Sequence, residues 1–180
     1  FVPAPEVSRP KGVETWLEPG DAGELDGTRF RVVGMISRSS GAEGDERVRW
    51  DEYLLFAPGV GLRWLVVTDG HWSLVEPLDA GRVEERAGEA AVTVGDVTYD
   101  LLSEGVARVD WATGELPWEI SIGDTTNVKD FLHAPWTLTR EWTTDELTWS
   151  RATMLAPDVI AKSFGKRSLP RPAGRAPYQR

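Results

Sequence analysis

The chain has 180 residues, 41% of them hydrophobic, with nine Trp, no Cys, and 20 Lys and Arg against 29 Asp and Glu for a net charge of −9. That length and apolar content suit one domain with a real core and exclude general disorder. The missing Cys removes disulfides, thiolate metal sites and Cys nucleophiles, and the acidic balance argues against a nucleic-acid binder.

The charge is unevenly spread. Lys162, Lys166, Arg167, Arg171, Arg175 and Arg180 close the chain with no acid among them, which leaves 14 basic against 29 acidic residues in the rest. An acidic body with a basic, Pro-containing tail is the result. The longest apolar runs, such as Tyr53 to Ala57, fall far short of the roughly 20 residues that span a bilayer. No charged n-region followed by an apolar h-region is present. Opening at Phe1 rather than Met, the chain is expected to be a trimmed or processed product.

Residues 1–19, with four prolines, read as an extended lead-in. Asp26-Gly27 signals a turn. Beyond it Phe30, Val32, Gly34 and Ile36 share one parity while Arg29, Arg31 and Arg38 mark less buried places, the pattern of a strand. A polar turn over Ser39 to Asp45 precedes a second strand, Val48 to Phe56, broken by Pro58-Gly59 and Gly61. Arg63 to Thr68 resumes extended structure, and Asp69-Gly70, between Trp64-Leu65-Val66-Val67 and Trp72-Ser73-Leu74-Val75, is the strongest hairpin signal in the chain. Ala80 to Ala90 reads as a linker or an edge strand.

Strand text returns at Val92 to Leu101 and at Val106 to Trp111, and Gly114 and Pro117 punctuate before Trp118. Thr137 to Trp142 and Leu147 to Thr153 suggest a further pair. Pro157 to Phe164 is the one helix candidate, with Pro in its first turn and Gly165 just past its end. Gly27 to Glu52 and Gly95 to Glu119 echo each other, each running from Gly through an aromatic strand to Trp followed by an acid. On that echo Trp50 and Trp118 are expected to be equivalent core anchors.

The candidate chemical residues are few. Most Trp are expected to fill a β core, each burying about 150–250 Å²; the functional alternative is a stacking cleft. Asp51 and Glu52 point to opposite faces of a strand and cannot pair with each other, though either could face Glu119 if the echo is a true repeat. His71 and His133 lie far apart and lack partners at metal-ligand spacing, so no metal is expected. No nucleophile elbow or phosphate-cradling glycine loop appears. No catalytic residue, ligand-binding residue or cofactor is assigned.

Leu25-Asp26-Gly27-Thr28-Arg29-Phe30-Arg31-Val32-Val33-Gly34, Trp50-Asp51-Glu52-Tyr53-Leu54-Leu55, Trp64-Leu65 and Asp69-Gly70-His71-Trp72-Ser73-Leu74 together resemble an uncharacterised bacterial family, domain of unknown function 4178. Trp118-Glu119, Ile122-Gly123-Asp124, Arg140-Glu141-Trp142 and Glu146-Leu147-Thr148-Trp149 are similar to its second half, for a coverage of about residues 20–165. The resemblance implies no agreed activity. It implies an accessory role beside envelope-stress, membrane-band and polyamine-synthase-like genes, and it carries over no catalytic residue.

These readings combine into one expectation. Residues 1–19 lead in. Residues 20–165 form an all-β domain of two antiparallel sheets, a sandwich or half-open barrel, with possible related halves at about 20–80 and 91–155 and a short C-terminal helix; residues 166–180 are a basic tail outside the core. The expected function is a non-enzymatic binding or scaffold domain engaging a protein partner in an envelope-stress context, cytoplasmic or peripheral to the inner membrane, with the tail able to touch an anionic surface and no nucleic acid bound. The alternatives are a small-molecule or lipid sensor with a Trp-lined cleft between the halves, and an undescribed hydrolase.

Overall fold

Turn chemistry divides the chain into antiparallel strands. The structure, a computed structural model, describes residues 1–42, 46–86, 88 and 90–176. A two-residue strand β1 (Val2–Pro3) is followed by β2 (Ala22–Leu25), β3 (Thr28–Ser40), β4 (Val48–Ala57), β5 (Gly61–Thr68) and β6 (His71–Leu78). A single 3-10 turn at Ala80–Arg82 leads to β7 (Val83–Glu85), β8 (Ala91–Val94), β9 (Val97–Leu116), β10 (Thr125–His133), β11 (Trp136–Trp142) and β12 (Leu147–Leu155). One helix, α1 (Pro157–Phe164), comes last. At Asp26-Gly27 and Asp69-Gly70 both residues take positive φ, 50° and 75° in the first pair, 50° and 78° in the second. That is the geometry a two-residue hairpin needs to match the twist of its strands.

The strands pair in the order β2-β3-β4-β5-β6-β12-β11-β10-β9-β8-β7, and β3 also pairs with β9. This second partner of β3, in register from Gly34 with Gly114 to Ser40 with Ala107, closes β3, β4, β5, β6, β12, β11, β10 and β9 into an eight-stranded barrel. The all-β expectation with one short C-terminal helix therefore holds, but the sandwich or half-open barrel does not. The reason is length. With 13 residues in β3 and 20 in β9, each long strand keeps one stretch for its short hairpin partner and gives the rest to the other. Irregularities after Val32, at Ser37/Arg38 and at Asp130/Phe131 bend the wall as closure demands.

Those bulges decide which side chains face inward. Arg38 on β3 bonds Glu141 on β11, and the two strands are not neighbours in the wall, so their face is the lumen. Tyr53, Leu55, Leu65, Val67 and Trp72 take the opposite face and pack outward beneath Leu17, Ile160 and Phe164. The main core thus lies between the barrel wall and the chain's own terminal segments. A second outward cluster joins Leu78, Val92, Tyr99, Phe131, Leu138 and Trp149 under the β7–β8 hairpin. A third cluster, Ile36, Val109, Ala112, Leu116 and Ile120 with Trp64 packed on them, is on the inward face, where Ile36 stands opposite Glu52 and Val109 opposite Arg38.

Several expectations are corrected here. The bulge after Val32 sends Ile36 to the face opposite Phe30 and Val32, so the four do not share a side. Arg38 is only 7% exposed, not a mark of exposure. Strand β10 escapes the hydrophobic pattern because both of its faces are mixed, with Val128, Asp130 and Leu132 inward and Asn127, Lys129 and Phe131 outward. The Ala80 to Ala90 segment is an edge, since β7 pairs with β8 alone; Ala87 and Glu89 lie outside the described residues, as do Glu43, Gly44 and Asp45 of the polar turn. Trp118 is 55% exposed in the bend after β9, its ring against Trp64 at 6.1 Å. It is no core anchor, because β9 ends before it and more than half of its side chain stays exposed. Trp50 is half-buried on β4.

The terminal segments are also less free than their composition suggests. Val2 and Pro3 pair with Leu116 and Glu115, Trp111 Nε1 donates to Val7 O at 2.9 Å, and Trp16 N–H donates to the Tyr53 hydroxyl at 2.9 Å. Leu169 packs against the main core, and Ala176 is buried at 3% exposure. The expectation that the tail stays off the core is therefore corrected too; Arg180 lies outside the described residues.

Trp72 anchors the outward core. It is fully buried, stacked on Tyr53 with ring centroids 6.0 Å apart, and its Nε1 has no hydrogen-bond partner. We expect Trp72→Ala to cost about 3–5 kcal/mol and Trp118→Ala to stay within about 0.5 kcal/mol, measured by urea unfolding. Trp72→Phe should recover much of the loss, because the indole N–H it removes gains nothing in the folded state.

Candidate functional site

Strand alternation on β4 sends two adjacent acids to two different places. Glu52 enters the lumen. Its Oε1 accepts from Arg38 Nη1 at 3.1 Å and from Trp50 Nε1 at 2.7 Å, while the same Arg38 Nη1 donates to Glu141 Oε1 at 2.8 Å. The Arg38 guanidinium lies 5.9 Å from the Trp50 ring centroid, and its Nε is buried with no partner. Burial alone would lower the Arg38 pKa, but Glu52 and Glu141 together raise it above its ordinary value. Glu141 is itself raised, first by burial, against the pull of Arg38 and with the push of Glu52.

Asp130 stands in the same lumen. Thr139 Oγ1 donates to its Oδ1 at 2.6 Å and Ser103 Oγ to its Oδ2 at 3.2 Å. Burial raises it above the usual carboxylate range despite both hydroxyls. Chemically, Glu141 and Asp130 are two carboxyls that hold a proton more readily than free acids do, the first bound by an arginine and the second by two hydroxyls. Such groups gather at working sites and in structural ion-pair networks alike.

Asp51 takes the other face, opposite Ser37 in the β3–β4 register. It opens onto a cleft of about 320 Å³ on the outside of the barrel. The floor is Ser37, Asp51 and Val67; the lead-in contributes Val13 and Trp16, the β5–β6 turn Asp69 and Gly70, and the tail Pro170, Arg171 and Ala173. Burial pushes the Asp51 carboxyl up to about 6, against a hydrogen bond from Ser37, with Glu52 adding to the rise and Arg49 opposing it. Glu14 and Arg49 also line it, so the cleft is a slot with apolar patches and charged edges and the Asp51 carboxylate on its floor, suited to a cation with an apolar flank.

The remaining sequence candidates separate. Glu119 is exposed beyond the end of β9, so it faces neither Asp51 nor Glu52; the acid that meets Glu52 across Arg38 is Glu141. His71 Nε2 lies 3.3 Å from Ala173 O, and His133 stacks on Trp136 with its Nδ1 3.1 Å from Thr98 O. Among the described residues no group of three or more His, Cys, Asp or Glu is placed to hold a metal ion. Nor is any described helix long and apolar enough to cross a membrane. Sequence reasoning missed Arg38, Asp130 and Glu141. The usable signal was a charged residue within an otherwise strand-like run, Arg38 and Glu141 near the ends of β3 and β11 and Asp130 within β10.

Ionising Asp51 works against the fold, because its folded pKa lies above the unfolded value of about 3.9. The penalty is absent below about pH 4 and grows as pH rises through 6. We therefore expect Asp51→Asn to raise stability at pH 8 by about 1–2 kcal/mol, allowing for its partial solvation, and to change nothing at pH 4; urea midpoints at the two pH values measure this. Arg38→Met leaves Glu52 and Glu141 uncompensated and should cost about 3–5 kcal/mol, read in the same way.

A model of the family described as domain of unknown function (DUF4178) matches residues 18–157. No curated protein and no solved structure matches the chain.

Proposed function

We propose a binding function for this chain, which belongs to the DUF4178 family: a non-enzymatic domain that engages a protein partner by taking a basic side chain into the outer cleft over Asp51. One observation carries the reading. Asp51 is a part-buried carboxyl that faces open space, and a hydrogen bond from Ser37 is the direct contact that offsets its burial. A guanidinium or ammonium against it would relieve that penalty while its stem packs on Trp16. The lumen acids support this reading over a hydrolase, since each already has arginine or hydroxyl partners within the wall.

The sensor reading changes place rather than vanishing. The cleft lies against the outer wall of β3 to β5, not between the halves, and the Trp50 indole is turned to Glu52. At about 320 Å³ it sits at the small end of ligand pockets, which suits one side chain better than a lipid. The reading also carries the cytoplasmic, inner-membrane and envelope-stress setting; the family resemblance and the basic closing segment support it.

N-acetyl-arginine amide serves as the probe, with Asp51 and Trp16 followed by NMR. The guanidinium favours the ionised carboxyl, so the Asp51 pKa should fall from about 6 and the Trp16 indole should shift. Binding should weaken as pH drops below 6 and disappear in Asp51→Asn. An Asp51 titration unchanged at saturating probe concentration would end the proposal.

A further inference from the structure

We infer that residues 170–173 cover the hairpin-tip side of the cleft in cis, in the place that an extended, proline-rich, arginine-bearing segment of the partner takes in trans while its basic side chain reaches the open floor; the tail is a built-in competitor that sets the affinity of the site. This rests on the cleft being the binding site, and it adds the form of the occupant and the control of access.

The contact between tail and barrel is built for backbone. Helix α1 ends at Gly165, whose φ of 65° turns the chain away. Pro170 and Pro172 then keep the tail from joining the sheet as a strand, since neither has an N–H to give. The tail instead crosses the tip of the β5–β6 hairpin. Ala173 N–H donates to Asp69 O at 2.8 Å, and Ala173 O lies 3.3 Å from His71 Nε2. Gly70 makes the crossing possible. A Cβ there would stand 2.5 Å from Arg171 O and 2.8 Å from Pro172 N.

Recognition of this kind reads an extended backbone bracketed by prolines and asks little of the side chains. A proline-flanked segment is already stiff in that form and loses little freedom on docking, and an aromatic wall such as Trp16 is a usual counterpart. Arg171 brings the basic group that the acid-floored cleft favours, yet it remains exposed at the rim. The cis segment is therefore seated by its backbone with its charge unburied. A partner segment free of the short tether to α1 can do both.

The test uses the full chain. Ala173→Pro removes the N–H that reaches Asp69 and leaves every cleft residue of the barrel unchanged. A labelled peptide of residues 167–176 is titrated into both proteins by fluorescence anisotropy. We expect at least tenfold tighter binding to Ala173→Pro than to the natural chain, and none to Gly70→Asn, where Asn keeps the positive φ but its Cβ blocks the crossing in cis and in trans. In the natural chain, with no peptide present, the Ala173 amide should exchange with solvent far faster than amides of β5. Equal peptide affinity in the natural and Ala173→Pro chains, or an Ala173 amide released only by global unfolding, would overturn the competitor role. Either result leaves the Asp51 response to N-acetyl-arginine amide standing as a separate measurement, so failure of the strap and failure of the site are told apart.

Discussion

The pairing of β3 with β9 is the constraint on which the rest of the molecule depends. Without it the chain would be an open, twisted sheet with two exposed edges and two equivalent faces. With it the faces become unequal. One encloses a narrow lumen, which in an eight-stranded barrel has room for side chains and little more; the other is a broad convex wall that must be covered. The Gly34–Gly114 contact at the start of that seam shows how tightly the strands meet. A Cβ on Gly34 would collide with Glu115 O, and one on Gly114 would stand 2.5 Å from Val33 O.

An unequal pair of faces explains where the apolar residues went. Tyr53, Leu65 and Trp72 face outward, and the lead-in and α1 supply Leu17, Ile160 and Phe164 to bury them. Hydrophobic burial stabilises the fold in proportion to area removed from water, so the terminal segments are structural parts of the domain. The same arrangement creates the cleft. Where lead-in, hairpin tip and tail fail to meet over Asp51, the wall is left uncovered. A binding slot is thus a gap in a protective layer.

The lumen tells the complementary story. Its charges are costly to enclose, and an ion pair removed from water is a weak source of stability unless its geometry is good. Here one Arg38 nitrogen serves two carboxylates from opposite walls, which ties β3 and β4 to β11 across the interior. Registration of the barrel is the benefit this arrangement offers: a slip of either wall by one residue would turn Glu52 or Glu141 to the outside.

What the sequence determined by itself is local. Asp69-Gly70 as a hairpin, Pro157 to Gly165 as a capped helix, the opposite aims of Asp51 and Glu52, and the family likeness all come from residues a few positions apart, because turn dihedrals, helix ends and strand alternation are set at that range. What only the tertiary structure decided is everything that depends on closure. Arg38 and Glu141 are 103 positions apart and meet only because the wall curls. Asp130 is enclosed only because the wall curls around it, and Trp118 loses the shelter that its echo of Trp50 suggested. The cleft itself joins residues from 12 to 173, and no short-range pattern encodes a contact between two termini and the middle of a barrel wall.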